Sequence, residues 1–185
     1  LDTVTVGTLS TAQIGGLTET TLGGLNTTAF GALRPTQINA LTTTQLRAVN
    51  AGDIAALTTT QLGTMTSVQI NGLTGTQIDA LSTTILADLS GGQLSGLRAP
   101  QLATMSATQL NAIATSNIGL LNETQIAGFT TTQMAALSTT IFTALKSTQV
   151  GAFTTTQIPS LATTDIAAFT TTQFGGVLST QIGNE

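Results

Sequence analysis

Apolar residues recur at two places in every eight along this chain. Every eighth residue from Leu1, through Leu9, Leu17, Leu25, Leu33, Leu41, Val49 and Leu57 to Phe169 and Val177, is apolar. A second series runs from Val6, Ile14, Leu22, Phe30, Ile38 and Leu46 to Phe174 and Ile182. No insertion or deletion interrupts either series, so residues 1–185 read as one continuous tract with the consensus L-[ST]-T-T-Q-[IL]-[AGN]-[AG] and no linker. A unit this short cannot close a core of its own. Successive units must stack and share one, which is the logic of a solenoid.

Unbroken secondary structure fails on geometry. Along one continuous α-helix eight residues turn through about 800°, so the apolar stripe would drift about 80° per repeat and wrap the cylinder. Along one continuous strand the two apolar positions are an odd number of residues apart, which puts them on opposite faces. The chain must therefore bend once per repeat.

The polar positions show where. Position two, counted from the Leu, holds Asp2, Ser10, Thr18, Asn26, Thr42, Asn50, Thr58 and similar residues in most repeats, the types whose side-chain oxygen caps a helix N-terminus. Three residues later stands Gln, Asn or Asp in most repeats, completing the S/T-x-x-Q capping box. With position two as N-cap, positions one and six become the two partners of a hydrophobic staple. Pro35 and Pro100 then fall at N1 and N2, where no helical hydrogen bond is lost. Glu19 and Glu123 at N1, with Asp53 and Asp165 at N3, lie where the helix dipole favours anions; Arg34, Arg98 and Lys146 at position two sit at the end of the preceding helix, where it favours cations. Asp79 and Asp88 break this pattern.

The expected fold is therefore all-α: a superhelical solenoid of very short capped helices, one per eight-residue repeat. Helices of under two turns are not stable alone, so burial of positions six and one must hold them. Small residues at position eight let helices approach closely, and position seven, which tolerates Arg47, Asn71, Asp79 and Asn111, faces water. The alternative is a Thr-rich β-solenoid, favoured by Thr, Val, Ile and Phe but opposed by Ala at positions seven and eight. Pro159 near N5 and Asn71-Gly72 in mid-helix sit awkwardly in the helical reading. Ala29, Ile85 and Ile141 replace the Gln at intervals of seven repeats, which predicts about seven units per superhelical turn.

Composition narrows function by exclusion. Charged residues are only 6% of the chain, and His, Cys, Trp and Tyr are absent. Four bases, Arg34, Arg47, Arg98 and Lys146, make no basic stripe, which argues against nucleic acid. Without His or Cys no soft metal ligands exist, and the acids form no local calcium motif, so no metal site or cofactor is expected. Nucleophilic catalysis needs a base and only Lys146 is on offer, so no catalytic residues are expected and the chain reads as a non-enzyme. The Gly pairs at Gly15-Gly16, Gly23-Gly24 and Gly175-Gly176 sit in the small-residue phase and lack the Lys of a phosphate loop. No apolar run reaches the roughly 18 residues of a membrane span. A chain that begins at Leu1 and stops in mid-pattern at Glu185 reads as part of a longer one.

Two resemblances attach to these residues. Leu33 to Ile38, LRPTQI, resembles the helix starts of TAL-effector repeats, L-T-P-x-Q-V, but shares only the cap and staple; no base-reading residues map. Over the whole chain, tracts such as LTTTQLRAV from Leu41 and FTTTQMAAL from Phe129 resemble the LTTxQIAAL octapeptide tracts of very large bacterial secreted or surface proteins. That resemblance implies an extracellular or cell-surface, adhesin-like or fibre-forming context, including biofilm matrix, and transfers no functional residues.

The expected role is a structural repeat protein forming a rod, tube or filament, with head-to-tail self-association through uncapped ends. The alternative is a binding module whose Thr/Gln face holds glycan, ice or a host surface. Threonine triplets would also accept O-glycans.

Overall fold

Each repeat bends where the caps predict. The computed structural model describes residues 1–113, 115–177 and 181. Among them the chain forms twenty-one α-helices of four to six residues and one 3-10 helix, from Thr3–Thr8 to Thr171–Phe174, and no strand. The β-solenoid is thereby set aside. Ile182 of the second apolar series and Glu185 lie outside the described residues.

The local cause of each bend is a pair of reciprocal hydrogen bonds. Position two is extended, as at Thr58 (φ −72°, ψ 160°), and its hydroxyl accepts from the N3 amide, here Gln61 N at 3.2 Å. Gln61 Oε1 in turn accepts from Thr58 N at 2.8 Å. At the other end the amide of position one closes a tight last turn on the carbonyl of position six, as in Leu73 N to Ile70 O at 3.2 Å. Helix and joint together use up the eight residues.

Successive helices wind into a superhelix in which each packs on the third along the chain; the helix Ser67–Gly72 lies between Thr43–Ala48 and Gly91–Gly96. Side chains bridge adjacent turns at separations of 25 to 31 residues, centred on 28. One turn therefore takes about 28 residues, or three and a half repeats, and not seven. Seven repeats make two turns, so Ala29, Ile85 and Ile141 recur at the same angular place two turns apart, without meeting across one turn.

The two apolar series fill the axis. Position six from Val6 to Val150 is at most 2% exposed, and position one from Leu25 to Phe153 at most 6%. All belong to one continuous cluster. The short helices owe their stability to this shared core, since none reaches the length an isolated helix needs.

Position eight lies over position three of the preceding turn, which explains its small residues. A Cβ on Gly72 would stand 2.7 Å from Thr43 Cβ, and one on Gly96, Gly128 or Gly176 would collide with Ser67, Ala99 or Ser147. Gly72 is thus required in mid-pattern by close approach, and Asn71 beside it uses its amide to donate to Gly96 O one turn on. Gly23 at position seven is confined in the same way by Ala48 O, which accounts for one of the Gly pairs. Pro35 and Pro100 sit at N1 and N2 of their helices. Pro159 has a visible cost: its repeat, 153–160, has turns and the 3-10 helix Ile158–Ser160 in place of an α-helix.

Substituting Gly72→Val should lower stability by about 1–3 kcal/mol through overpacking on Thr43. Gly63→Ala, with open space around it, should be neutral or stabilising by about 0.5–1 kcal/mol. Urea-unfolding midpoints of the two variants check both.

Candidate functional site

Among the described residues no three of His, Cys, Asp and Glu come together. An open surface groove of about 860 Å³ runs past Arg98, Leu120, Glu123 and Lys146. The most elaborate polar chemistry lies inside the tube wall, at position five.

Each of the thirteen glutamines at position five from Gln37 to Gln173 is 0–8% exposed. Its Oε1 accepts the N-cap amide of its own repeat, as the capping box requires. Its Nε2 points away and donates to the joint of the preceding turn. Gln77 Nε2 reaches Leu46 O at 2.8 Å and Val49 O at 2.7 Å; Gln101 reaches Ile70 O at 3.0 Å and Leu73 O at 2.8 Å. The carbonyl at position one, 28 residues earlier, is bonded in all thirteen cases at 2.6–3.1 Å. That carbonyl belongs to the extended joint, has no helical partner, and is buried, so leaving it unpaired would cost about 1–3 kcal/mol.

The sequence signal for this bridge was available. A capping box works with Glu as well as Gln, and the helix dipole prefers Glu. Yet position five holds fifteen Gln and no Glu. Only the amide can accept on one arm and donate on the other.

The exceptions are instructive. Asn117 Nδ2 still donates to Leu89 O at 3.0 Å. Asp53 and Asp165, placed by the dipole argument in the first turn, are indeed at N3 but are 3% and 4% exposed. Having nothing to donate, each accepts instead from a threonine of the preceding turn: Thr27 Oγ1 to Asp53 at 2.6 Å and Thr139 Oγ1 to Asp165 at 2.7 Å. Both threonines lie in repeats that lack Gln, those of Ala29 and Ile141.

Two of the bases at position two, which lie just past the end of the preceding helix, reach back one turn with their side chains. Arg34 Nη2 donates to Leu9 O at 2.9 Å and Arg98 Nη2 to Leu73 O at 3.4 Å, the joint one turn earlier. Position seven is exposed for Arg47, Asn71 and Asp79, as expected, and Asp88 at position eight is also exposed. At the N-terminus the Thr5 amide, bonded to the Asp2 carboxylate at 2.8 Å, holds that group below the usual carboxylate range.

The proposed Thr/Gln face needs correction. Its glutamines from Gln37 to Gln173 are interior, because their amides bridge turns, and the threonines of those turns remain outside. Capping uses positions two and five: Thr44, Thr60, Thr132 and Thr172 at position four are exposed, and their hydroxyls make no bond among the described residues. With three and a half repeats per turn these hydroxyls wind round the tube and form no flat array, which counts against ice.

Two stretches of the chain, residues 48–83 and 126–163, match the family model of the ALTTAQ repeat. The chain thus carries a tandem-repeat tract of that kind. In the first stretch, Ala56-Leu57-Thr58-Thr59-Thr60-Gln61 sets five of the six letters of that name, with Thr60 in place of the second Ala, on positions eight and one to five, ending on a bridging glutamine. No curated protein and no solved structure matches the chain.

Gln77→Glu keeps the acceptor for Thr74 N but cannot donate to Leu46 and Val49, so it should lower stability at neutral pH by about 2–4 kcal/mol. Thr44→Ala should change it by less than about 0.5 kcal/mol. Chemical denaturation of both variants, followed by circular dichroism, decides.

Proposed function

We propose that this chain is a structural rod, a stalk or fibre segment of a bacterial protein that works outside the cell or at its surface. The observation that carries the reading is the series of thirteen glutamine bridges between Gln37 and Gln173, interrupted at Asp53, Ile85, Ile141 and Asp165, which ties successive turns together. A protein whose polar side chains are spent on joining its own turns is organised for length. The near absence of charge, and a residue set without His or Cys, support a mechanical role over an enzymatic one. The likeness to octapeptide tracts of large secreted proteins supports the extracellular setting.

A second reading has one observation in its favour. Thr44, Thr60, Thr132 and Thr172 at position four are exposed and free of structural duty, which suits contact with a glycan or attachment of one. Saturable binding of a polysaccharide, lost when position-four threonines are replaced by alanine, would select that reading.

The rod has a predictable size. If turns stack at the usual 8–10 Å between packed helices, the six and more turns of the chain give roughly 60 Å of length. Small-angle scattering should show an elongated particle of about that length at low concentration. A compact, near-spherical particle would end the rod reading.

A further inference from the structure

Three of the four bases, scattered in sequence, are gathered by the superhelix along one winding groove. Its first part, about 510 Å³, is lined by Glu19, Arg47, Val68 and Arg98. Arg98 also lines the second part, the groove of about 860 Å³ that runs on past Leu120, Glu123 and Lys146. Arg34 lies outside both. The groove winds because helices pack on the third along, as Thr43–Ala48 does on Ser67–Gly72, 24 residues on, while a turn takes about 28. Each column of helices therefore drifts round the tube, and the channel beside it drifts too.

The charges in this groove are largely unspent. The side chains of Glu19, Arg47, Glu123 and Lys146 make no hydrogen bond or ion pair among the described residues, and Arg98 commits Nη2 alone, to Leu73 O at 3.4 Å. Elsewhere the exposed charges Asp2, Asp79 and Asp88 are acidic, with Arg34 the exception. The groove is also where apolar side chains leave the core. Between Val4 and Ile166 the exposed large apolar residues are Val68, at 66%, and Leu120, at 49%, and both line it. Leu120 stands at position eight, where other repeats carry small or polar residues. Hydroxyls of Thr44, Thr124 and Thr148 complete the walls, with Asn122, whose Oδ1 caps Gln125 N at 2.9 Å and whose Nδ2 is left for a ligand.

We propose that this groove binds a linear polysaccharide bearing carboxylates, with Arg47, Arg98 and Lys146 pairing its acid groups. Arg offers a fork that matches a carboxylate, and Lys a point charge. Threonine, asparagine and glutamate side chains exchange hydrogen bonds with sugar hydroxyls, and Val68 and Leu120 receive the C–H faces of the rings. Successive bases lie roughly 15 Å apart along the tube, so one carboxylate in every few sugars is engaged. An acidic peptide fits less well, because the groove has no strand edge to satisfy its backbone. Nucleic acid fits less well still: no aromatic side chain lines the groove for stacking, and Glu19 and Glu123 repel closely spaced phosphates. The binding rests neither on the rod reading nor on the threonines outside the groove.

Titration calorimetry of the 185-residue chain with polygalacturonate at low salt tests this. The expected result is saturable binding that weakens with added salt and is at least tenfold tighter than that of dextran, polyglutamate or double-stranded DNA. Arg47→Gln and Lys146→Gln, whose side chains carry no internal bond, should each weaken it about tenfold with the circular dichroism spectrum unchanged. Arg34→Gln makes the same change of charge outside the groove, and Thr132→Ala removes an exposed hydroxyl outside it; both should leave the affinity within about twofold. Absence of binding overturns the proposal, and leaves the rod reading to the scattering experiment. Equal weakening by Arg34→Gln overturns it in favour of diffuse charge attraction, and loss with Thr132→Ala returns binding to the outer threonines. Tighter binding of polyglutamate or DNA overturns it in favour of that polymer.

Discussion

A glutamine amide accepts on one arm and donates on the other, and this structure depends on using both arms at once. Oε1 fixes where a helix begins, and Nε2 fixes what lies beneath it. Because the two functions share one rigid planar group, the local bend and the stacking of turns are set together. A helix of five residues has too few internal bonds to persist, and its flanking joint exposes carbonyls that a buried backbone must satisfy. The amide from the next turn satisfies them and thereby makes each turn a template for its successor.

Packing and hydrogen bonding agree on the same register. Positions one and six fill the axis, position eight leaves room for position three of the turn below, and position five spans the seam between them. A shift of one residue would place the amide off the joint and a larger residue against the helix beneath. Eight residues per repeat and about 28 per turn are not in whole-number ratio, so equivalent repeats align only every second turn. That mismatch spreads any single surface feature round the tube, which is why the exposed threonines make no plane. It also explains the spacing of Ala29, Ile85 and Ile141, which share one angular place.

Much of the fold was legible in the sequence because its signals are local. Caps, staple, helix length and the two core phases all follow from relations within eight residues. The bridge was not read because its acceptor lies 28 residues away and is backbone, which carries no residue identity. The number of repeats per turn was misjudged for a related reason: a seven-repeat recurrence marks angular alignment, and alignment after two turns looks the same in sequence as alignment after one. Asp53 and Asp165 were placed at the right helical position for a local reason, while their burial and their threonine partners depend on the turn below. Pro159 is a misfit that the sequence shows, and among the described residues its repeat alone gives up the α-helix. At the level of function the sequence offered chiefly exclusions, and the interior use of glutamine removes half of the surface that a binding role would have used.

The central claim is that position-five amides bond to carbonyls of the preceding turn. Scalar coupling across hydrogen bonds, measured by nuclear magnetic resonance on isotopically labelled protein, observes such bonds directly. The account predicts that Gln101 Nε2 couples to the carbonyl carbon of Leu73 and that its amide protons exchange slowly with solvent. Rapidly exchanging side-chain amides at Gln77, Gln101 and Gln133, with no coupling to residues one turn back, would contradict it.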